Sequence, residues 1–323
     1  MSTLSRPIPR YQTTVSHSLR DAIQGFLDYS RSKNLSPRTI EFYGERLQSF
    51  EQYIGQASPG LPPGEVTPPL IRAYLIESCE TCSAATANHN LNVLRNFYNF
   101  LVRDGFVDEN PALRVEKLKQ RKTVIETFSP EQIQAILNSC GKDFCGIRDR
   151  AIMLAFLDTG IRLQELANLR LHDVSFSEQV LLVLGKGNKE RRVPFGLGVK
   201  KALNAYLLRR PEIPNQDLLF VTQYGDSAGK HCVQLLLKRR AEQARITSVR
   251  ASAHTYRHTF AKSYLLNGGD VFSLQKILGH TTMEMVRNYV NLVNHEVQTL
   301  HARFSPVDRM QTGSAKVGRK RIR

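Results

Sequence analysis

Apolar residues recur at helical intervals along most of the chain. From Ser18 onward Leu19, Ile23, Phe26, Leu27 and Ser30 share one face, and the run stops near Asn34. Ser36-Pro37 restarts the chain as an N-cap with proline at the first helical position, leading into Ile40, Tyr43, Leu47, Phe50 and Ile54. A Pro- and Gly-rich stretch, ASPGLPPGEVTPP, precedes the run from Ile71 to Leu75, and a further helix after Ser83 carries Leu91, Leu94, Phe97, Tyr98 and Leu101. Four helices without a convincing strand predict a helical N-terminal domain over residues 16–105. Residues 1–15, rich in Ser, Thr, Pro and Arg and without apolar period, are expected to be a mobile arm.

The segment 106–127 holds Pro111 and the basic cluster Lys117, Lys119, Arg121 and Lys122, which predicts an exposed linker and places the domain boundary there. A second domain is expected over residues 128–305. It opens with Ser129 as N-cap, Pro130 behind it and Gln132 completing a capping box. Ala151 to Leu157 predicts an apolar helix closed by Gly160, and Leu163 to Leu169 starts the next. The β-branched and apolar run Val180 to Leu184 can pair with Arg192 to Phe195 across a hairpin turn at 185–189. Further helices are predicted over 203–208, 233–241, 254–266, 271–278, 283–290 and 294–304. The fold class is therefore mainly α: a helical N-terminal domain followed by a mixed α/β domain with a small antiparallel sheet. The polar tail 306–323 is expected to be disordered.

Charge narrows the partners. Forty-five Lys and Arg against 29 Asp and Glu give a formal charge of +16 over 323 residues, an excess that favours a polyanion, with nucleic acid ahead of an anionic membrane. No stretch approaches 18 uninterrupted apolar residues, and the segment MSTLSRPIPRYQ lacks the apolar run of a signal peptide. Neither membrane insertion nor secretion is indicated, and a cytoplasmic location is expected. Five cysteines without a secretory signal argue against a disulfide framework. Cys79 and Cys82 form a C-x-x-C, but no second pair stands at zinc-ribbon spacing and the segment reads as a helix end.

Three clusters carry candidate chemistry: TGIRLQEL around Arg162, LGKGNKERRVPF around Lys186, and the segment from His254 to Tyr289. Alone, an arginine between two helices reads as structural. The glycine of TGIR, however, permits a tight helix end and aims Arg162 towards a helix N-terminus that favours an anion, so a phosphate ligand stays open. Lys186, with Lys189, Arg191 and Arg192 nearby, is either a solvated basic loop or a lysine that flexible glycines let into a DNA groove. His254 and Arg257 lie three apart on one helical face. His254 and His258 have the i, i+4 spacing of a zinc helix, but the Glu of H-E-x-x-H is absent. His280 follows Gly279 after an apolar helix, and Tyr289 lies nine residues later, where a tyrosine alone reads as half-buried packing. Jointly, two Arg, two His, a Lys and a Tyr form the inventory for phosphoryl transfer without a metal: cations for the non-bridging oxygens, a nucleophile, and proton donors and acceptors.

In their order, TGIRLQEL, GKGNKER, HTYRHTFA and LGHTTMEMVRNY resemble the motifs of the tyrosine recombinase, or phage integrase, family, with Xer-like and mobile-element integrases nearest. They span Arg162 to Tyr289, and the helical N-terminal region matches the family's core-binding domain by architecture. The resemblance implies a site-specific recombinase that cleaves and rejoins duplex DNA through a 3′-phosphotyrosyl intermediate. It implies roles residue by residue: Tyr289 as nucleophile, Arg162 and Arg257 on the non-bridging oxygens, and Lys186 as general acid. His254 and His280 would hydrogen-bond the phosphate, with His254 also a candidate acceptor for the tyrosine proton. No cofactor or metal is implied. The partners are double-stranded DNA and a homotetramer assembled on two sites, with the two domains clamping the duplex. The stripe Val293, Val297, Leu300 and Phe304 is expected to dock either on its own domain or, as the resemblance implies, on the next subunit. Two other readings fit parts of the pattern: a type IB topoisomerase-like relaxing enzyme, and a catalytically silent DNA-binding protein.

Overall fold

The computed structural model describes residues 18–120, 125–185, 190–214 and 216–279, with 282, 283, 286, 287, 289, 290, 301 and 305–307. The N-terminal arm, most of the basic tail, Lys186, His280 and the stripe from Val293 to Phe304 lie outside the described residues. The chain divides into two compact units, Met1–Thr123 and Val124–Arg323.

In the first unit, four helices follow the apolar pattern: α1 (Leu19–Ser32), α2 (Pro37–Ala57), α3 (Pro68–Thr81) and α4 (Ala84–Arg103). The hydroxyls of Ser18, Ser36 and Ser83 accept the N–H groups of Asp21, Thr39 and Thr86, so three of the four starts are fixed by a side-chain cap. α4 is the central helix, burying Leu91, Leu94, Phe97, Tyr98 and Leu101 against Phe26, Leu47, Phe50, Ile71 and Leu75. Cys79 lies in α3 and Cys82 at its C-cap, both unpaired thiols.

The expected exposed linker at 106–127 is not one over its first half. Residues 106–118 return along α4 and belong to the first unit, with Ala112 and Val115 buried and Phe106, Val107 and Leu118 packed beside them. Side chains of α4 supply the partners that a sheet would otherwise give this backbone. Asn88 both donates to Leu118 O (2.9 Å) and accepts from Leu118 N–H (2.8 Å), while Arg95 donates to Ala112 O (3.1 Å) and Val115 O (2.6 Å). Such bonds carry no apolar period, which is why the sequence pattern misses them. Lys117 and Lys119 remain exposed on this strap.

The second unit contains α5 (Pro130–Asn138), α6 (Phe144–Thr159), α7 (Leu163–Ala167), β1 (Val174–Ser175), β2 (Val180–Leu184), β3 (Glu190–Pro194), α8 (Leu197–Leu207), α9 (Lys230–Gln243), α10 (Ala253–Leu266) and α11 (Val271–Leu278). The three strands form one antiparallel sheet in the order β1-β2-β3, with Leu181 opposite Val193 and Leu184 opposite Glu190. The capping box at Ser129 and Gln132 forms as read. β1 is too short to leave a periodic signal. α6 packs against α8, α9 and α10 and is buried on several sides, with Ala151, Ile152, Met153, Ala155 and Phe156 all essentially inaccessible. A helix with apolar residues on several sides, as over residues 151–156, must lie in a core. Its one fully buried carboxylate, Asp149, is held by Arg148 from α6 and by Arg239 and Arg240 from α9. No helix among the described residues is long and apolar enough to cross a membrane.

α6 ends at Gly160, whose φ of +57° lies in the left-handed region. A side chain there would collide with the Phe260 ring and come within 2.6 Å of Leu278 Cδ2, so α10 and α11 press directly on this turn. Gly160→Ala is expected to lower stability by about 3 kcal/mol, the overpacking cost together with the positive-φ cost. Urea denaturation checks it, and a loss below about 1 kcal/mol would show that the turn relaxes freely.

Candidate active site

The left-handed turn at Gly160 reverses the chain so that Arg162 becomes the N-cap of α7. Glu165 stands at the third helical position, and its Oε2 accepts the Arg162 backbone N–H at 2.8 Å. The sequence led us to expect a free anion-attracting helix start here. The structure fills it with Glu165 itself, on a helix of only five residues.

Glu165 is the hub of a cationic cluster. It receives Arg162 Nη1 at 3.0 Å and both terminal nitrogens of Arg191 from β3 at 2.7 Å each. The other donors of these arginines go to helix-end carbonyls. Arg162 donates to Gly279 O (3.1 Å), Arg191 to Ile277 O (3.1 Å), and Arg257 from α10 to Leu278 O (2.8 Å) and, by a short bond, to Gly160 O. Gly279, at φ +63°, closes α11 as Gly160 closes α6, and a side chain there would meet Arg191 Cδ at 3.0 Å. The carbonyl ends of two helices therefore face three guanidinium groups. Cations are favoured at such ends, where the aligned peptide dipoles are negative.

Three permanently charged arginines against the Glu165 carboxylate leave a surplus of two positive charges among the described residues. Arg257 is 5% exposed, and burial first, then the like charge of Arg162, push its guanidinium down to about 10, still protonated at neutral pH. The Arg162 side chain is 36% exposed, the most accessible of the three. Burial alone pushes the Glu165 carboxyl up, but the hydrogen bonds from Arg191 and the Arg162 backbone, with the Arg191 charge, outweigh it and hold the group below its ordinary value.

Tyr289 lies beside this cluster. It is 4% exposed and packs with Phe260, Leu265, Leu274, Leu278 and Val286, and Val286, Arg287, Tyr289 and Val290 are helical. Burial pushes its phenol up, while the charge and a hydrogen bond of Arg257, then the charge of Arg162, pull the other way. The phenolic oxygen stands 3.0 Å from His258 Nδ1. Burial, then the like charges of His254 and Arg257, push His258 down, so its ring is neutral near pH 7. His254 sits one turn earlier on α10, exposed, its ring 6.5 Å from that of His258.

Of the six residues singled out from sequence, the structure brings Arg162, Arg257 and Tyr289 together and leaves His254 on the rim. Lys186 and His280 lie outside the described residues. The pairing Leu184 opposite Glu190 does place residues 185–189 as the β2–β3 connection. Sequence reasoning missed Glu165, Arg191 and the partnership of His258 with Tyr289. The first had a usable signal, a Glu three residues into a helix start, and strand alternation puts Arg191 on the face of buried Val193. His258 had been weighed only as half of a zinc pair. Among the described residues no group of three or more His, Cys, Asp or Glu is placed to hold a metal ion.

Comparison with known proteins places the family and the fold. Residues 126–296 match the model of the phage integrase family, and residues 23–105 that of the phage integrase N-terminal SAM-like domain. The chain is 31% identical over 292 residues to the tyrosine recombinase XerC of Listeria monocytogenes serotype 4a, covering 88% of this chain and 97% of the relative. To the tyrosine recombinase XerD of Halalkalibacterium halodurans it is 29% identical, covering 90% and 99%. In fold it is similar to the XerH site-specific recombinase bound to a palindromic difH substrate, with TM-score 0.71, 20% identity, and 90% and 85% of the two chains covered. It is also similar to a lambda integrase dimer bound to a core site, with TM-score 0.68, 18% identity, and 83% and 96% covered.

The Glu165 hub generates a prediction. Glu165→Gln is expected to cost about 3 kcal/mol near neutral pH, because it strands buried guanidinium charge. Since the folded-state carboxyl is held below its unfolded value, its contribution is present above about pH 4.5 and is lost as pH falls through the lowered value. Urea midpoints of the two proteins should therefore converge between pH 5 and pH 3. A gap that stays constant through that range would mean that the Glu165 charge is not what the arginines require.

Proposed function

The chain belongs to the phage integrase family and is a tyrosine-type site-specific DNA recombinase, and we propose that Tyr289 is the nucleophile with which it cleaves and rejoins duplex DNA. The observation that carries this reading is the position of the Tyr289 phenol, hydrogen-bonded beside Arg257 at the edge of a cluster with surplus positive charge. A tyrosine placed only for packing has no need of that charge.

In the proposed reaction Tyr289 Oη attacks the scissile phosphorus, the bond to the 5′ oxygen breaks, and a 3′-phosphotyrosyl link remains. Arg162 and Arg257 bind the non-bridging oxygens and stabilise the charge that builds up in the pentacoordinate transition state. His254, on the exposed rim, and His280 hydrogen-bond the phosphate, and Lys186 from the β2–β3 connection protonates the leaving oxygen. One phosphodiester replaces another, so the exchange is close to energy-neutral and needs neither a nucleotide nor a cofactor. Four protomers on two DNA sites, working in the cytoplasm, complete the proposal. The exposed Lys117 and Lys119 on the strap after α4 are suited to touching the DNA backbone without reading sequence. Neither a relaxing enzyme nor a silent DNA-binding protein is favoured, since the Xer-type relatives match along nearly their whole length.

Two experiments test the assignment. Tyr289→Phe is expected to keep the fold and DNA affinity while losing the covalent adduct on a nicked suicide substrate, read as a shifted band on a denaturing gel. An adduct that persists in this variant would remove Tyr289 from the reaction.

The role of Lys186 is tested with a substrate whose 5′-bridging oxygen is replaced by sulfur. A thiolate leaves without being protonated, because thiols are far more acidic than alcohols. Lys186→Ala is expected to cleave the oxygen substrate about 10²- to 10⁴-fold more slowly and the sulfur substrate at close to the parent rate. Equal slowing on both substrates would show that Lys186 is not the proton donor.

A further inference from the structure

We infer that His258, rather than His254, accepts the proton of Tyr289 as the phenol attacks phosphorus. The inference rests on Tyr289 being the nucleophile and adds a role that the motif comparison left with a different histidine. It starts from the 3.0 Å contact between His258 Nδ1 and the Tyr289 hydroxyl. A neutral imidazole has one ring nitrogen able to accept, and with its hydrogen on Nε2 that nitrogen is Nδ1, the atom that stands against the phenol. The inference requires this Nε2–H tautomer, in which Nδ1 accepts the phenolic hydrogen. His254, exposed and one turn earlier, has its ring 6.5 Å from that of His258 and stays available to a phosphate oxygen.

The charged and titratable groups around His258 explain when it acts. On its own helix stand His254 and Arg257; the helical segment opposite contributes Tyr289, and Arg162, Glu165 and Arg191 lie behind Arg257. With no DNA bound, burial first and then the surrounding cations keep His258 neutral and a weak base, and burial keeps the phenol protonated. A scissile phosphate brings negative charge into the same pocket, which favours the imidazolium form and strengthens the base only when there is something to attack. The step balances: the Oη–P bond forms and the bond from phosphorus to the 5′ oxygen breaks. The phenolic proton moves to Nδ1, and the leaving oxygen takes a proton from the general acid. On rejoining, the 5′-hydroxyl attacks phosphorus and returns its proton to the general acid, and Tyr289 departs, taking its proton back from His258.

The test is single-turnover cleavage of a suicide substrate against pH by the parent protein, His258→Gln and His254→Gln, with DNA binding measured alongside. A glutamine can hold the hydroxyl but cannot take up its proton. The parent rate is expected to fall towards acid pH, because a protonated His258 cannot accept. His258→Gln should be slower by about 10²-fold or more near pH 7.5 and should lack that acid limb, while His254→Gln keeps it. A parent-like rate in His258→Gln, or an unchanged acid limb, overturns the inference. Should His258→Gln fail to bind DNA, ¹⁵N chemical shifts of His258 in the parent protein decide: the Nε2–H tautomer is expected, and a hydrogen on Nδ1 overturns it. A parent protein that forms no adduct at all would instead count against Tyr289 as nucleophile.

Discussion

Hydrogen bonds from three arginines to the spent carbonyl ends of α6 and α11 organise the catalytic unit. Gly160, Ile277, Leu278 and Gly279 each present a carbonyl at a helix end, and Arg257, Arg191 and Arg162 meet all four. Carbonyls matter here because they satisfy donors without cancelling charge. Had carboxylates taken these positions, the cluster would be neutral and would offer a phosphate nothing. A cation at a helix C-terminus gains only about 0.3–2 kcal/mol from the dipole, so a formal carboxylate is still needed, and Glu165 supplies it between Arg162 and Arg191. The result is a rigid cradle with positive charge in excess. The two left-handed glycines are what let the helix ends approach closely enough.

Burial and charge act on the proposed nucleophile in opposite directions: burial holds the Tyr289 phenol in its protonated form, while the charges of Arg257 and Arg162 pull the other way. Burial, then the like charges of His254 and Arg257, hold His258 neutral. An arriving phosphate would pair with the arginines and offset their effect on the histidine. Preorganised donors that need no rearrangement during the reaction are the most effective form of electrostatic stabilisation. In this chain they are fixed by backbone carbonyls at the ends of two helices, α6 and α11.

Much of this was legible before any coordinates. The caps at Ser36 and Ser129, the apolar run from Ala151 to Leu157 in α6 and the β2–β3 pair follow from local periodicity and capping chemistry, and Arg162, Arg257 and Tyr289 from their motifs. What stayed hidden depends on contacts between distant segments. The strap after α4 owes its place to Asn88 and Arg95, polar side chains that bond backbone 17 to 30 residues away. Arg191 reads as one more basic residue of a hairpin until the structure sets it on Glu165, 26 residues earlier. His258 reads as a metal-spaced histidine because its partner, Tyr289, lies 31 residues on. Sequence spacing reports neighbours on one helix; it does not report what a second helix places opposite.

The account stands on the covalent chemistry of one side chain. The protein should be trapped on a suicide substrate carrying a radiolabel beside the scissile phosphate, digested with protease, and the labelled peptide sequenced by mass spectrometry. The expected result is a single modified peptide bearing a nucleotide 3′-phosphate on Tyr289. A label carried by any other residue, or joined through a 5′-phosphate, would contradict the site described.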